Sequence, residues 1–448
     1  MKRVSNRARA LLLLCALVLV GLSFYIYKYT ANGKLWVSFP SNRTVYTDGE
    51  LTVGTVLDRN GGVLTEADGG KRLYADSAEV RKATLHAVGD LGGNIGTGAL
   101  KAFASRLMGY NIVSGAYTRR GEGRDLYLSI DAGLNTAAYK ALGGRKGTVG
   151  VMNYKTGEII CMVSSPTFDP TDVPDFEKAG DQYEGVYLNR FLSSAYTPGS
   201  TFKLITLAAA IENMPDLYDR AFECAGSLKI GGDIVNCTKK HGELSIEDAL
   251  AVSCNSTFAQ LALELGADTL GRYAENLGLT KSADIEGIMT AAGNFEKAED
   301  ETADLAWSGI GQYNDTVCPA NMLRFIGAIA NGGDAVDMSL IHERGLAGLM
   351  PPGSHRMLSR QTADKIATMM NYNVYKSYGE KNYAGLELYA KSGTAEVGGG
   401  LQPHAWFVGY ITNKDAPLAF VVVVENGGAG SKTAGAVANA VLQAAVKG

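Results

Sequence analysis

Residues 386–397 read LELYAKSGTAEV, residues 404–412 read HAWFVGYIT and residues 418–426 read LAFVVVVEN. Three apolar runs of strand length follow one another, the last two parted by a turn-rich stretch, residues 413–417. An earlier pair has the same character: TVGVMNYKTGEIICMVSS, residues 148–165, is two strand-like runs around Lys155-Thr156-Gly157. Between the two groups, residues 196–373 carry mostly helical patterns, and the chain closes on the amphipathic run KTAGAVANAVLQAAVKG. Two early strands pairing with three late ones make one antiparallel five-stranded sheet, with a helical subdomain inserted and helices on the sheet faces. The expected fold class is therefore α/β, of the α+β type.

The inserted region opens with YTPGSTFKLIT, residues 196–206. Pro198 and Gly199 read as a turn, and Ser200 and Lys203 stand one helical turn apart on a shared face. After Lys203 the run LITLAAAI is apolar on nearly every side, the pattern of a buried helix. Burying an ammonium is costly and lowers its pKa, and such a lysine beside a hydroxyl can take its proton. Two residues alone do not decide this, because a serine at a helix start is ordinarily a cap. Two further motifs follow in order: Ser253-Cys254-Asn255 in LAVSCNSTFAQLALELG, and Lys391-Ser392-Gly393-Thr394. The three fall on a helix start, a helix junction and a strand, where three walls of one cleft can meet. Taken singly, Ser253 and Asn255 also read as a cap and a core amide, and Lys391 as a solvated strand lysine.

The chain has 448 residues and a net charge of −4, with no footprint for nucleic acid. Its 55 glycines suit many turns and close backbone approaches, and no repeat is visible. Lys2, Arg3, Arg7 and Arg9 precede ALLLLCALVLVGLSFYIY, 18 residues without a charge, the lower end of what crosses a bilayer. Basic residues before the span place the N-terminus in the cytoplasm and the body outside, with Tyr25, Tyr27, Tyr29 and Trp36 as an interfacial belt. A cleaved signal peptide is the rival reading, against which no clean small-residue cleavage site follows. The organisation is then a cytoplasmic tail (1–9), an anchor (10–29), a small module (32–143) and the main domain (144–448). In the module, LTVGTVLDRNGGVLTEAD alternates like a hairpin turning at residues 59–62, and DLYLSIDAGLNTAAYKAL reads as strand, Asp131 cap and helix.

There are six cysteines, at 15, 161, 224, 237, 254 and 318. Cys224 and Cys237 bracket the hairpin-like AGSLKIGGDIVN and are the best pair for a disulfide outside the cytoplasm. A metal reading adds His241, but three ligands at this spacing match no standard site. His404, which opens a strand, reads as structural.

Ser-x-x-Lys, Ser-x-Asn and Lys-Ser-Gly in this order resemble the signature of penicillin-binding proteins and class A β-lactamases. Cys254 stands where that pattern has aspartate, and Ser392 where it has threonine. The resemblance extends over most of the chain from Val53 onward, through GTVLDRNGGVLTE, DLYLSIDAGLNTAAYKAL, TGEIICMVSSPTFDP, SGIGQYNDTVCPANMLRFIGAIANGG and KSGTAEV with HAWFVGY. It is to the class B, monofunctional, penicillin-binding proteins, since residues 32–143 look nothing like a glycosyltransferase domain. The resemblance implies a penicillin-binding transpeptidase, β-lactamase-like fold and a D,D-transpeptidase acting on D-Ala-D-Ala stem peptides of peptidoglycan. It implies Ser200 as the acylated nucleophile, Lys203 as its base, Ser253 as proton relay and Asn255 as a holder of substrate. Lys391, Ser392 and Thr394 would receive the terminal carboxylate of D-alanine or of a β-lactam antibiotic, and Gly393 would leave room for it. The N–H groups of Ser200 and Thr394 would form the oxyanion site. No cofactor and no metal is implied. A polytopic membrane glycosyltransferase is the expected partner. Neither Glu243 nor Glu396 is assigned as a deacylating base, so a penicillin adduct should be long-lived. A D,D-carboxypeptidase, a scaffold activating the glycosyltransferase, and a β-lactam sensor are the other readings; the short tail leaves the sensor no signalling domain.

Overall fold

The computed structural model describes residues 2–37, 46–47, 50–51, 53–108, 124–344, 348 and 350–447. Helix α1 (Lys2–Val37) contains the stretch Ser5–Ala31, whose most apolar 18-residue window has a mean hydropathy of 2.5 and is not buried. Among the described residues it is the one helix long and apolar enough to cross a membrane, and it fits a single-pass anchor. The side chains of Lys2, Arg3 and Trp36, parts of the basic tail and aromatic belt, lie outside the described residues.

Strands β1 (Val56–Leu57), β2 (Val63–Asp68), β3 (Lys71–Tyr74) and β4 (Leu126–Tyr127) form a small sheet in the order β3-β2-β1-β4, with β4 parallel to β1. The turn at residues 59–62 falls where the sequence placed it. Asp58 closes it, Oδ1 accepting from the N–H of Asn60 (3.0 Å) and Gly62 (2.7 Å). Helix α2 (Ala78–Val88) starts on Ser77 and α3 (Ala132–Leu142) on Asp131, whose Oδ1 accepts from Leu134 N–H at 2.7 Å. Arg81 grips Asp169 through two bonds of 2.8 and 2.7 Å, and Val56, Leu64 and Leu126 join the core of the main body. The small sheet is thereby fixed to that body.

Strands β5 (Gly147–Asn153) and β6 (Ile159–Ser165) form a hairpin around Lys155-Thr156-Gly157. The chain then leaves the sheet for α4 (Lys203–Asn213), the short strands β7 (Phe222–Cys224), β8 (Ser227–Ile230), β9 (Asp233–Asn236) and β10 (Gly242–Leu244), and helices α5 (Ile246–Ala251), α6 (Asn255–Asn276), α7 (Pro319–Ala330) and α8 (Arg360–Asn373). It returns as β11 (Leu388–Ala395), β12 (His404–Ile411) and β13 (Leu418–Val424), and ends in α9 (Gly430–Lys447). The sheet order is β11-β12-β13-β5-β6, antiparallel throughout. β13 is buried along its whole length, which is why it reads as an unbroken apolar run: both faces of the sheet are covered. On one face Leu204, Ile205 and Leu207 of α4 share a core with Trp406, Val421 and Val423. On the other, Leu142 of α3 and Val437, Val441 and Leu442 of α9 meet Phe407, Phe420 and Val422. β11 is left as an edge strand, beside the start of α4.

Candidate active site

Ser200 sits in a single 3₁₀ turn, Gly199–Thr201, just before α4. The turn is pinned from two sides. Gly199 N–H donates to Gly311 O (2.8 Å), Tyr196 exchanges backbone bonds with Val317, and Trp406 Nε1 donates to Thr197 O (3.0 Å). Gly199 has φ +54°, and a Cβ there would lie 2.7 Å from Thr394 O, so only glycine lets the turn close on β11. Gly393 serves the same approach: a Cβ would meet Pro198 O at 2.7 Å and the Thr201 methyl at 3.0 Å. Its missing side chain thus makes room for the serine turn itself.

Lys203 is 0% and Lys391 1% exposed. Lys203 Nζ donates to Ser253 O (2.7 Å), Asn255 Oδ1 (2.7 Å) and Ser253 Oγ (3.2 Å), above the ring of Phe258. Lys391 Nζ donates to the same Ser253 Oγ (3.0 Å) and to Ser392 O (2.9 Å). Both amines face polar oxygen and, among the described residues, no carboxylate. Burial therefore lowers Lys203 to about 7, and holds Lys391 well below the usual lysine range with repulsion from Lys203 as a second cause. Ser253 takes its place through a left-handed backbone, φ +55°, uncommon for a side-chain-bearing residue. Asn255 Nδ2 donates to Asn236 O at 2.9 Å, which ties the second motif to the β8–β9 hairpin.

The free edge of β11 is half covered. Asn371 and Asn373, near the end of α8, donate to Leu388 O (3.2 Å) and Ala390 O (2.8 Å). Tyr378, in the π-turn after α8, accepts from Ser392 N–H (2.7 Å) and donates to Ser392 Oγ (2.9 Å). In an antiparallel strand, backbone groups two residues apart face the same side. Thr394 N–H therefore points to that same edge, beyond the cover and towards Ser200. The resulting cleft, of about 360 Å³, is lined by Ser200, Ser253, Asn255, Ser392 and Thr394, with Gln312 and Trp307 opposite.

The eight residues singled out from sequence converge on this one place. Tyr378 escaped that reading, since nothing in VYKSYGEKNY marks a partner for Ser392. Trp307 and Gln312 belong to none of the three motifs, and Gln312 lies in the SGIGQ segment. His404 is packed edge-on against Tyr196, with centroids 5.5 Å apart, and its Nδ1 accepts Asn426 N–H, a structural placement. Glu396 lies exposed at the cleft rim.

The cysteines depart from expectation. All six are free thiols, so Cys224 and Cys237 form no disulfide. They meet His241, and a fourth donor that spacing did not suggest: Cys254, the middle residue of the second motif. The four ligand atoms lie within 4.8 Å of one another.

Sheet, inserted helices and edge cleft together make up the transpeptidase fold of the penicillin-recognising proteins. A family model for the penicillin binding protein transpeptidase domain matches residues 147–443, and the chain belongs to that family. It is 28% identical to the peptidoglycan D,D-transpeptidase PbpA of Mycolicibacterium smegmatis over 380 residues, 76% of this chain and 75% of that protein. It is 30% identical to the probable peptidoglycan D,D-transpeptidase FtsI of Caulobacter vibrioides over 290 residues, 62% and 47% of the two chains. Among solved structures, the D,D-transpeptidase domain of a peptidoglycan glycosyltransferase from Eggerthella lenta superposes with a TM-score of 0.75 at 28% identity, covering 89% of this chain and 98% of that one. Penicillin-binding protein A of Mycobacterium tuberculosis gives 0.75 at 25% identity, covering 88% and 99%.

Proposed function

We propose that this chain is a membrane-anchored peptidoglycan D,D-transpeptidase that works through an acyl-enzyme on Ser200. The observation that carries the reading is the pair of buried lysines meeting on Ser253 Oγ, on the floor of a cleft that Ser200 lines. Lys203 takes the Ser200 proton as Oγ attacks the carbonyl of the penultimate D-alanine. The N–H groups of Ser200 and Thr394 stabilise the oxyanion, a donor of this kind being worth about 3 kcal/mol. Ser253, bonded to both lysines, returns a proton to the departing D-alanine nitrogen. An amine from a neighbouring stem then attacks the ester, which frees Ser200 and forms the crosslink. Lys391, Ser392 and Thr394 receive the terminal carboxylate, and the Asn255 amide steadies Lys203 while offering its remaining Nδ2 hydrogen to a substrate carbonyl. A β-lactam enters by the same attack, and its adduct is long-lived because Glu396, the carboxylate lining the cleft among the described residues, lies exposed at the rim and is not assigned as a deacylating base.

The domain faces outward, with the basic tail in the cytoplasm, and α1 and the small sheet are the surfaces offered to a polytopic glycosyltransferase. The test of the reaction is intact mass of the full chain in detergent with a penicillin. One adduct on the Ser200 peptide is expected, and none in Ser200→Ala. Labelling elsewhere sinks the assignment. Stem peptide supplied with an acceptor amine should give crosslinked product; free D-alanine alone makes the chain a carboxypeptidase.

A further inference from the structure

Given a D,D-transpeptidase acting through Ser200, the reading on which this rests, we propose that Glu396 is a specificity residue. Its carboxylate receives the side-chain ammonium of the stem residue that precedes the two D-alanines, and so selects donor stems with a free amine at that place. The edge of β11 fixes the direction in which a stem can lie. Asn371, Asn373 and Tyr378 occupy that edge from Leu388 to Ser392. A peptide whose terminal carboxylate meets Ser392 and Thr394 therefore extends the other way, antiparallel to β11, past Thr394 to Ala395 and Glu396. Two strand residues span about 7 Å, so with the penultimate D-alanine carbonyl at the Thr394 N–H, the residue before it lies beside Ala395 and Glu396. Opposite and diagonal neighbours across two strands are about 5–8 Å apart, within reach of a long side chain.

Glu396 is free to take such a partner. It follows β11 directly, lines the cleft with Ser392 and Thr394, and is exposed. Among the described residues no ion pair or hydrogen bond occupies its carboxylate. Gly398, Gly399 and Gly400 come after it, and a Cβ at any of them would meet nothing within 4 Å, so the chain that follows leaves the rim open. Glu396 is also the one charged side chain among the described residues that line the cleft, while Lys203 and Lys391 are buried in its floor. The site thus has an order of charge: amines and hydroxyls that take an anion around Ser392 and Thr394, then a carboxylate one strand step further on. A stem peptide carries the matching order. Its end is a carboxylate, and because every stem of the polymer must be able to supply the attacking amine, an ammonium stands on a side chain upstream. At a rim open to solvent, a charge pair of this kind adds little affinity and acts by telling one charge from the other.

The acylamino side chain of a penicillin takes the upstream side of the same carbonyl, so penicillins of different charge read Glu396 through the Ser200 adduct. Ampicillin carries an ammonium beside that amide, carbenicillin a carboxylate, and benzylpenicillin neither. Second-order acylation rates of the full chain in detergent, each divided by the benzylpenicillin rate of the same variant, should favour ampicillin over carbenicillin. Glu396→Gln should shrink that preference about fivefold, and Glu396→Lys should reverse it. Raising salt from about 0.05 M to about 1 M should shrink the preference of the unaltered chain and leave that of Glu396→Gln where it is. A stem peptide ending in Lys-D-Ala-D-Ala should release D-alanine faster than its Nε-acetylated form, and Glu396→Gln should abolish the difference. An equal preference in the unaltered chain and in Glu396→Gln, or one that salt does not alter, would overturn the proposal. The penicillin comparison decides the matter even where the purified chain does not turn peptide over. No benzylpenicillin adduct on Ser200 would sink the transpeptidase reading instead, whereas an adduct formed without regard to charge sinks the role of Glu396 alone.

Discussion

At the scale of single residues, two protons matter. Lys203 must be neutral to take the Ser200 proton, and burial has lowered it to about 7. The acylation rate should rise with pH through that value and level off above it; a flat profile across the limb would remove Lys203 as base. Lys203→Arg, which cannot deprotonate, should lose at least about 100-fold in acylation without unfolding. Tyr378 is a positioning residue. It takes up both the N–H and the Oγ of Ser392, and without it that part-buried N–H loses its partner. Tyr378→Phe should cost about 1 kcal/mol in capture of the carboxylate, a fivefold weaker apparent affinity for penicillin, with the limiting acylation rate nearly unchanged. A fall in the limiting rate instead would mean that Tyr378 supports the nucleophile and not the substrate.

At the scale of elements, the cleft depends on how closely the Ser200 turn lies against β11. Pro198 O fills the space beside Gly393. Gly393→Val should push the turn outward by tenths of an ångström to an ångström, which is enough to lower acylation about 100-fold while circular dichroism stays unchanged. Retained acylation would show that the turn can shift without harm. The same closeness explains the half-covered edge. α8 and its π-turn satisfy Leu388, Ala390 and Ser392, which blocks that part of β11 from pairing with another chain and leaves only the stretch around Thr394 to receive a peptide strand.

For the whole molecule, two lysines without a carboxylate partner are a burden on folding that the site requires. Both bind protons more weakly in the folded chain than in the unfolded one. Between pH about 7 and the ordinary lysine value of about 10.4, the unfolded state therefore holds more protons, and stability must rise with pH across that window. The melting temperature of the body should climb over it, and Lys391→Met should flatten the slope. An unchanged slope would place the titrating groups elsewhere.

Periodicity and turn residues alone determined the five strands, their division into an early pair and a late trio, and the helical insertion. These follow from local rules: β13 is apolar throughout because helices cover both faces, and Asp131 marks a helix start by capping it. The order of the three motifs was also legible, because each is a short local pattern. Tertiary structure alone decided three things. It placed Tyr378 against Ser392 through an irregular turn that carries no pattern. It filled the gap beside Gly393 with the serine turn, a contact nearly two hundred residues away in the chain. And it brought Cys254 to Cys224, Cys237 and His241, where spacing had suggested a disulfide. Contacts between groups far apart in sequence are set by how helices and hairpins pack, and no window of residues contains them.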